Sequence, residues 1–216
     1  MADALKVGVL FSARTDLANS LSRLAASDST ITLVAAASDR HHDPSERPPG
    51  IPFAEFPARR FADRFDRDRA LADWLTSQHV DLVATAGWLW LLSPEFLGRF
   101  PARVVNVHPT LLPAFPGRHS VEAAVAYGVR VHGVTVHLVD SGVDTGPILA
   151  QTASHFPQPV AAADVRAALA PIEHRLLADV VSAFAHGRVA YDRTNSRWTI
   201  APAGNARPNR TFTETG

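Results

Sequence analysis

The chain has 216 residues, no cysteine, and 21 basic side chains against 21 acidic ones. The absence of cysteine excludes disulfide frameworks, thiolate chemistry and Cys-ligated zinc, and the balanced charge provides no basic field to gather nucleic acid or an anionic membrane. No apolar run reaches the ~20 residues of a membrane helix, and the N-terminus lacks a signal peptide's basic segment. We therefore expect a cytoplasmic globular protein with no nucleic-acid or membrane partner, either a monomer or a homodimer.

The first half of the chain alternates short apolar runs with longer amphipathic stretches. The runs "LKVGVLF", "ITLVAAAS" and "DLVATAG" predict strands buried on both faces, because they are continuous and apolar. A helix follows the first strand with Thr15 or Asp16 as its N-cap. The segment "IPFAEF" predicts an edge strand, since its proline removes a ladder donor. This alternation indicates a doubly wound, Rossmann-like, mostly parallel α/β sheet.

A second helix is predicted within "RFADRFDRDRALADWLTSQHV". Phe61, Phe65, Leu71, Trp74 and Leu75 fall close to one helical stripe, so we expect this stripe to face the core and the charged residues between them to face solvent.

The second half continues with a buried strand, "RVVNVH", and a helix, "SVEAAVAYG". The alternating segments "VHGVTVHLVD" and "PILAQTASHF" predict an antiparallel pair, which makes this half of the sheet mixed. A long helical pattern follows and is predicted to break at Pro171, before a terminal hairpin. We expect one domain over residues 1–202 with two lobes, about 1–100 and 101–202, and a loose tail over 203–216 without apolar periodicity.

Two polar residues end the strand "RVVNVH". Asn106 and His108 are two positions apart and so share one face of the strand, and Pro109 then stops the ladder. Both lie at the carboxyl end of a central strand, where open α/β sheets bind their ligands. A strand-end Asn and His can also simply hydrogen-bond the next loop. Further along, Asp140 and Asp144 flank a glycine-containing turn, where an aspartate can be a plain turn-former.

Together, "NVHPTLLPAFPG" and "HGVTVHLVDSGVDTGPIL" resemble the folate-dependent formyltransferases. The resemblance runs from "LKVGVLF" to about residue 190 and includes "DLVATAGWLWLLSPEFL" and "IEHRLL". At this chain length it is nearest to the branch that serves purine synthesis. It implies the formyltransferase fold, 10-formyltetrahydrofolate as cosubstrate, a small-molecule amine as formyl acceptor, and no metal.

The resemblance also assigns roles to individual residues. It implies a catalytic trio of Asn106, His108 and Asp144. It implies folate binding by Trp88, Leu89, Trp90, Leu91, Leu92, Asn106, Val139, Asp140, Val143 and Asp144, and acceptor binding by Arg14, Thr15, Val107, Pro109 and Glu173. An amine attacking a formyl carbon develops an oxyanion, which an amide N–H and a protonated imidazole can stabilise. A carboxylate can keep that imidazole charged and relay the amine proton.

One part of the chain departs from the family pattern. The family normally has a glycine-rich phosphate loop after its first strand, whereas residues 12–17 read "SARTDL" without glycine, and residue 170 is alanine. If Asp16 caps the first helix, its carboxylate occupies the N–H groups that would hold a phosphate. This predicts weakened phosphate recognition. The alternatives are therefore a different acceptor without phosphate, such as a nucleoside or amino sugar, and a non-catalytic folate-binding protein.

Overall fold

The computed structural model describes residues 3–156 and 159–203. The strands are β1 (Leu5–Phe11), β2 (Ile31–Ser38), β3 (Phe53–Glu55), β4 (Leu82–Ala86), β5 (Val104–His108), β6 (Val131–Leu138), β7 (Ile148–His155), β8 (Val189–Asp192) and β9 (Arg197–Ile200). The α-helices are α1 (Thr15–Ser27), α2 (Arg64–Ser77), α3 (Pro94–Arg99), α4 (Ser120–Tyr127) and α5 (Ala162–Ala185).

Seven strands form one mixed sheet in the order β3-β2-β1-β4-β5-β6-β7. The strands from β3 to β5 pair in parallel, whereas β6 is antiparallel to both β5 and β7. The chain winds outward from β1 to β3 and returns to β4 on the other side of β1. The carboxyl ends of β1 and β4 therefore border the switch point, where ligands bind in such sheets. This confirms the predicted fold class, the β3 edge strand and the antiparallel pair, and β8 and β9 form the predicted hairpin.

The sheet buries apolar residues on both faces. One core packs α1, α4 and α5 on the sheet through residues such as Leu17, Val121 and Leu177. The other packs α2 and α3 through residues such as Leu71 and Phe96. The helices thus form a layer on each side of the sheet.

The helices differ from the sequence predictions in three places, of which the first two are in α1 and α5. The N-cap of α1 is Arg14, without a side-chain hydrogen bond, so neither Thr15 nor Asp16 caps this helix. Helix α5 passes through Pro171 without a break, since packing along the buried side of the helix offsets the lost backbone hydrogen bond.

The third difference is in α2, where two charged residues that were expected to face solvent are buried. Arg67 and Asp68 are 1% and 0% exposed, whereas Phe65 of the predicted apolar stripe is 44% exposed.

Within the described residues, no helix combines the length and apolar character needed to cross a bilayer. The tail predicted to be loose lies, beyond Ala203, outside the described residues.

Candidate active site

The strand register aligns three polar residues at the carboxyl edge of the sheet. Thr85 of β4 lies opposite Asn106 of β5, and Asn106 lies opposite His137 of β6. Val105 and Val107 belong to the core under α1 and α5, so Asn106 and His108 project from the other face of β5. The predicted shared face of Asn106 and His108 is confirmed.

The hydrogen bonds of Asn106 fix which half of its amide faces the cavity. Thr85 Oγ1 donates to Asn106 Oδ1 at 2.7 Å, so the oxygen is occupied. His137 Nδ1 donates to the Leu138 carbonyl oxygen at 2.8 Å, and its Nε2 lies 3.1 Å from Asn106 Nδ2 and 3.5 Å from Asp144 Oδ1. In the tautomer with the proton on Nδ1 alone, Nε2 accepts one amide hydrogen of Asn106. The second Nδ2 hydrogen remains for a ligand oxygen.

His108 is held between a loop and a carboxylate. Its Nε2 donates to the carbonyl oxygen of Phe115 at 3.0 Å, and its Nδ1 lies 3.3 Å from Asp144 Oδ2. The same Asp144 oxygen accepts the backbone N–H of Gly117 at 2.7 Å. The loop after β5 and the turn after β6 therefore hold the imidazole and the carboxylate against each other.

The protonation of this pair follows from burial and from the contacts. Burial lowers the pKa of His108, and the Asp144 carboxylate and the Phe115 carbonyl oppose that shift without cancelling it. Burial would raise the pKa of Asp144, but its contacts with His137, His108 and Gly117 hold that pKa below its usual value. An ionised carboxylate thus faces an imidazole that releases its proton more readily than a free histidine. Asp144 thus favours the charged form of His108, and burial favours the neutral form.

The turn containing Asp144 accepts few other residues at two of its positions, because of its backbone conformation and its close packing. Asp144 itself has φ 53°, which Asn and Asp tolerate better than most residues. A Cβ on Gly146 would lie 1.9 Å from the Leu138 carbonyl oxygen, so the turn needs glycine here for space. Asp140 accepts from Gly142 N–H at 3.0 Å and from Thr145 Oγ1 at 2.8 Å. Asp140 is thus a turn-former, and it also borders the cavity.

A cavity of about 460 Å³ lies over these residues. Its walls include the predicted trio and eleven further residues that the resemblance assigned to folate or acceptor: Arg14, Trp88, Leu89, Trp90, Leu91, Leu92, Val107, Pro109, Val139, Asp140 and Val143. The loop over residues 88–92 is tied to the end of β1, because Ser12 Oγ accepts the N–H of Leu89 at 3.3 Å. The structure therefore brings the predicted folate residues and the predicted trio to one cavity.

The predicted acceptor residues are only partly together. Arg14 lines the cavity, whereas Thr15 and Glu173 are absent from its walls. Arg14 donates to both Asp16 oxygens and, at 2.5 Å, to Glu173, which is 3% exposed. His174 Nε2 lies 2.8 Å from the second Asp16 oxygen.

The pKa values of the two carboxylates that contact Arg14 depend on their neighbours. Burial would raise the pKa of Asp16, but hydrogen bonds from Arg14 and His174 lower it to about 2. Burial raises the pKa of Glu173 despite the opposing charge of Arg14. Asp16 therefore pairs with side chains and not with the first turn of α1, which removes the premise that it blocks a phosphate.

Sequence reasoning missed two residues that position the site. Neither Thr85 nor His137 stands out in the sequence as a site residue. Both lie beside Asn106 only because of the strand register. A polar residue at the end of a predicted buried strand, as Thr85 is in "DLVATAG", is the signal that could have indicated one of them.

The fold and the site define an α/β enzyme in which an amide N–H, an imidazole and a carboxylate surround one cavity, an arrangement suited to acyl-group transfer. The sequence matches the formyl transferase family over residues 5–181. The chain therefore belongs to the formyl transferase family.

Individual relatives are similar over most of the chain. A phosphoribosylglycinamide formyltransferase of Mycobacterium tuberculosis (strain ATCC 25618 / H37Rv) is 42% identical over 194 residues, which are 86% of this chain and 88% of that protein. The crystal structure of glycinamide ribonucleotide transformylase 1 from Symbiobacterium toebii matches with a TM-score of 0.86 at 30% identity, covering 94% of this chain and 96% of that one. A formyltetrahydrofolate deformylase of Escherichia coli O6:H1 is 34% identical over 127 residues, 59% of this chain and 45% of that protein.

Proposed function

We propose that this protein transfers the formyl group of 10-formyltetrahydrofolate to the amine of glycinamide ribonucleotide, a step of purine synthesis. The convergence of Asn106, His108 and Asp144 on the cavity walled by residues 88–92 carries the proposal. The M. tuberculosis relative supports the choice of acceptor, because its name specifies phosphoribosylglycinamide.

The proposed reaction is direct transfer between two bound substrates. The neutral amine attacks the formyl carbon, a C–N bond forms, and the carbonyl oxygen becomes an oxyanion. The free Nδ2 hydrogen of Asn106 donates to this oxygen. The protonated His108 ring donates as well once its Nε2 exchanges the Phe115 carbonyl for the oxyanion, and each donor is worth ~10²–10³ in rate. Collapse breaks the bond between the formyl carbon and N10 of the folate. Asp144 takes the proton of the attacking amine and passes it through water to N10 of the folate, so the carboxylate is regenerated and the charges balance.

The phosphate of the acceptor is assigned to the end of β1 and the start of α1. Arg14 is the N-cap of α1, and no side chain caps the first turn there. The free backbone N–H groups of that turn are therefore suited to binding an anion. A guanidinium binds phosphate through two donors. Because Arg14 contacts Glu173 in this structure, we expect acceptor binding to exchange that contact for phosphate on Arg14 and a ribose hydroxyl on Glu173.

Neither alternative from the sequence is favoured. Weakened phosphate recognition was predicted from the missing glycines of residues 12–17, from Ala170 and from Asp16 as a helix cap. The last of these grounds is removed, because Asp16 instead bonds Arg14 and His174. The relatives named for formyl transfer to phosphoribosylglycinamide also give no support to a non-catalytic folate binder.

The deciding experiment follows release of tetrahydrofolate from its 10-formyl form with glycinamide ribonucleotide, with the dephosphorylated riboside, and without an amine. We expect a kcat/KM at least 10³-fold higher for the phosphorylated acceptor, equivalent to ~4 kcal/mol of transition-state binding. Equal use of the riboside would contradict the assigned phosphate contacts. Release at the same rate without any amine would identify hydrolysis, the activity named for the deformylase relative.

A further inference from the structure

Behind the cavity wall formed by residues 88–92 lies a buried charged pair that none of the proposed chemistry uses. Arg67 and Asp68 are consecutive residues of α2, and both are essentially inaccessible. Neither residue lines the cavity. A buried arginine is rare unless its charge has specific partners, so the contacts of Arg67 indicate what it does.

Asp68 joins Arg67 to the end of the loop. One Asp68 oxygen accepts from Arg67 Nε at 3.0 Å and from Nη2 at 2.7 Å. The other oxygen accepts the backbone N–H of Ser93 at 2.6 Å, and Ser93 is the N-cap of α3. The carboxylate therefore holds the guanidinium in a fixed plane relative to the residue where the loop ends.

The guanidinium faces two indole rings of the loop. Its central carbon lies 5.7 Å from the centroid of the Trp88 ring and 5.1 Å from that of the Trp90 ring, within the range of cation–π attraction. Nη1 of Arg67 is buried without a hydrogen-bond partner among the described residues. The ring faces are therefore the electron-rich groups that compensate the charge on this side of Arg67.

The opposite end of Trp90 is fixed as well. Trp90 Nε1 donates to Asp39 Oδ2 at 2.6 Å, and the Asp39 side chain is 6% exposed. Trp90 nonetheless remains 45% exposed and lines the cavity together with Trp88. Arg67 thus packs on the buried side of indoles whose other surface is open to a ligand.

We infer that Arg67 is a positioning residue that sets Trp88 and Trp90 in place to receive the flat ring system of the folate. The inference rests on the proposed function, because it takes the cavity wall over residues 88–92 as part of the folate site. It acts on cofactor binding alone. The contacts of Asn106, His108 and Asp144 do not involve Arg67, so the chemical step at saturating folate does not depend on it.

The test compares Arg67→Met, which keeps the length of the side chain and removes the cation, with Arg67→Lys, which keeps the charge but loses the planar fork. Arg69→Met is the matched control, because Arg69 lies on the same helix and pairs with Asp66 and Glu95 at the exposed surface. All variants are made in a Trp74→Phe, Trp198→Phe background. Indole emission then comes only from Trp88 and Trp90, since the chain has four tryptophans.

For Arg67→Met we expect the KM for 10-formyltetrahydrofolate to rise at least tenfold, while kcat and the KM of the amine stay within threefold. The emission maximum of Trp88 and Trp90 shifts, and quenching by a 5,8-dideaza analogue of 10-formylfolate needs a correspondingly higher concentration. Arg67→Lys recovers part of the folate KM, and Arg69→Met leaves all of these values at the background level.

A folate KM for Arg67→Met within threefold of the background protein, with unshifted indole emission, overturns the inference. If Arg67→Met does not fold, as judged by circular dichroism, the same criterion is applied to Arg67→Gln, which also removes the cation but keeps a polar side chain. A parent protein that neither binds the folate analogue nor transfers formyl overturns the proposed function and this inference together. The inference alone is overturned if the parent protein binds the analogue and transfers formyl, and the Arg67 variant has the same folate KM and indole emission as the parent.

Discussion

Asp144→Asn is the substitution that most directly tests the proposed chemistry. Asparagine has the same shape, tolerates the φ of 53° at this position, and can still accept the Gly117 N–H that Asp144 Oδ2 receives. The main change is therefore the loss of a negative charge beside His108. We expect kcat to fall by about 10²–10⁴ while folate affinity stays nearly unchanged.

The magnitude follows from the distance between the two groups. At 3.3 Å from His108 Nδ1, a unit charge pair in a medium of effective dielectric ~20 interacts by about 5 kcal/mol. The Asp144 side chain is 16% exposed, so solvent screens part of this, and roughly 3–5 kcal/mol corresponds to ~10²–10⁴ in rate. The Asp144 carboxylate raises the pKa of His108 against the effect of burial. Removing that charge therefore also shifts the ionisation of His108 in the pH profile of kcat to lower pH.

The assay measures steady-state release of tetrahydrofolate at saturating folate and acceptor, and folate affinity by quenching of tryptophan emission. Asp164→Asn is the control, since Asp164 lies in the first turn of α5 at the exposed surface. A kcat within threefold of the wild-type value would refute the role of the Asp144 charge. A loss of folate affinity as large as the loss of kcat would assign Asp144 to binding instead.

Two further predictions concern Thr85 and His132. Thr85→Val removes the hydroxyl that orients the Asn106 amide and should lower kcat about tenfold, the scale of one hydrogen bond. Thr85→Ser keeps the hydroxyl and should restore kcat. An unchanged kcat in Thr85→Val would contradict the assigned orientation of Asn106. Burial lowers the pKa of His132, partly offset by the Val129 backbone. The unfolded chain then takes up this proton first as pH falls below ~6.5, and stability decreases with falling pH. His132→Leu should therefore show a smaller drop in Tm between pH 7.5 and 5.5 than the wild type, and an equal drop would exclude a contribution of His132.

The sequence by itself determined the class of sheet and the place of the site. Strand and helix periods are local properties, so the alternation over the first half of the chain predicts a parallel sheet without knowledge of any contact. The two-residue spacing of Asn106 and His108 placed both on one face of a strand, and Pro109 placed them at its end. The structure confirms each of these points.

Only the tertiary structure decided how distant segments meet. Arg14 pairs with Glu173 across 159 positions, and the register of three strands brings Thr85 and His137 to Asn106. The burial of Arg67 in a stretch that reads as a charged helix face depends on how α2 is rotated against the loop over residues 88–92. Periodicity specifies which residues share a face of one element, but strand register and helix rotation are set by the packing of all elements together.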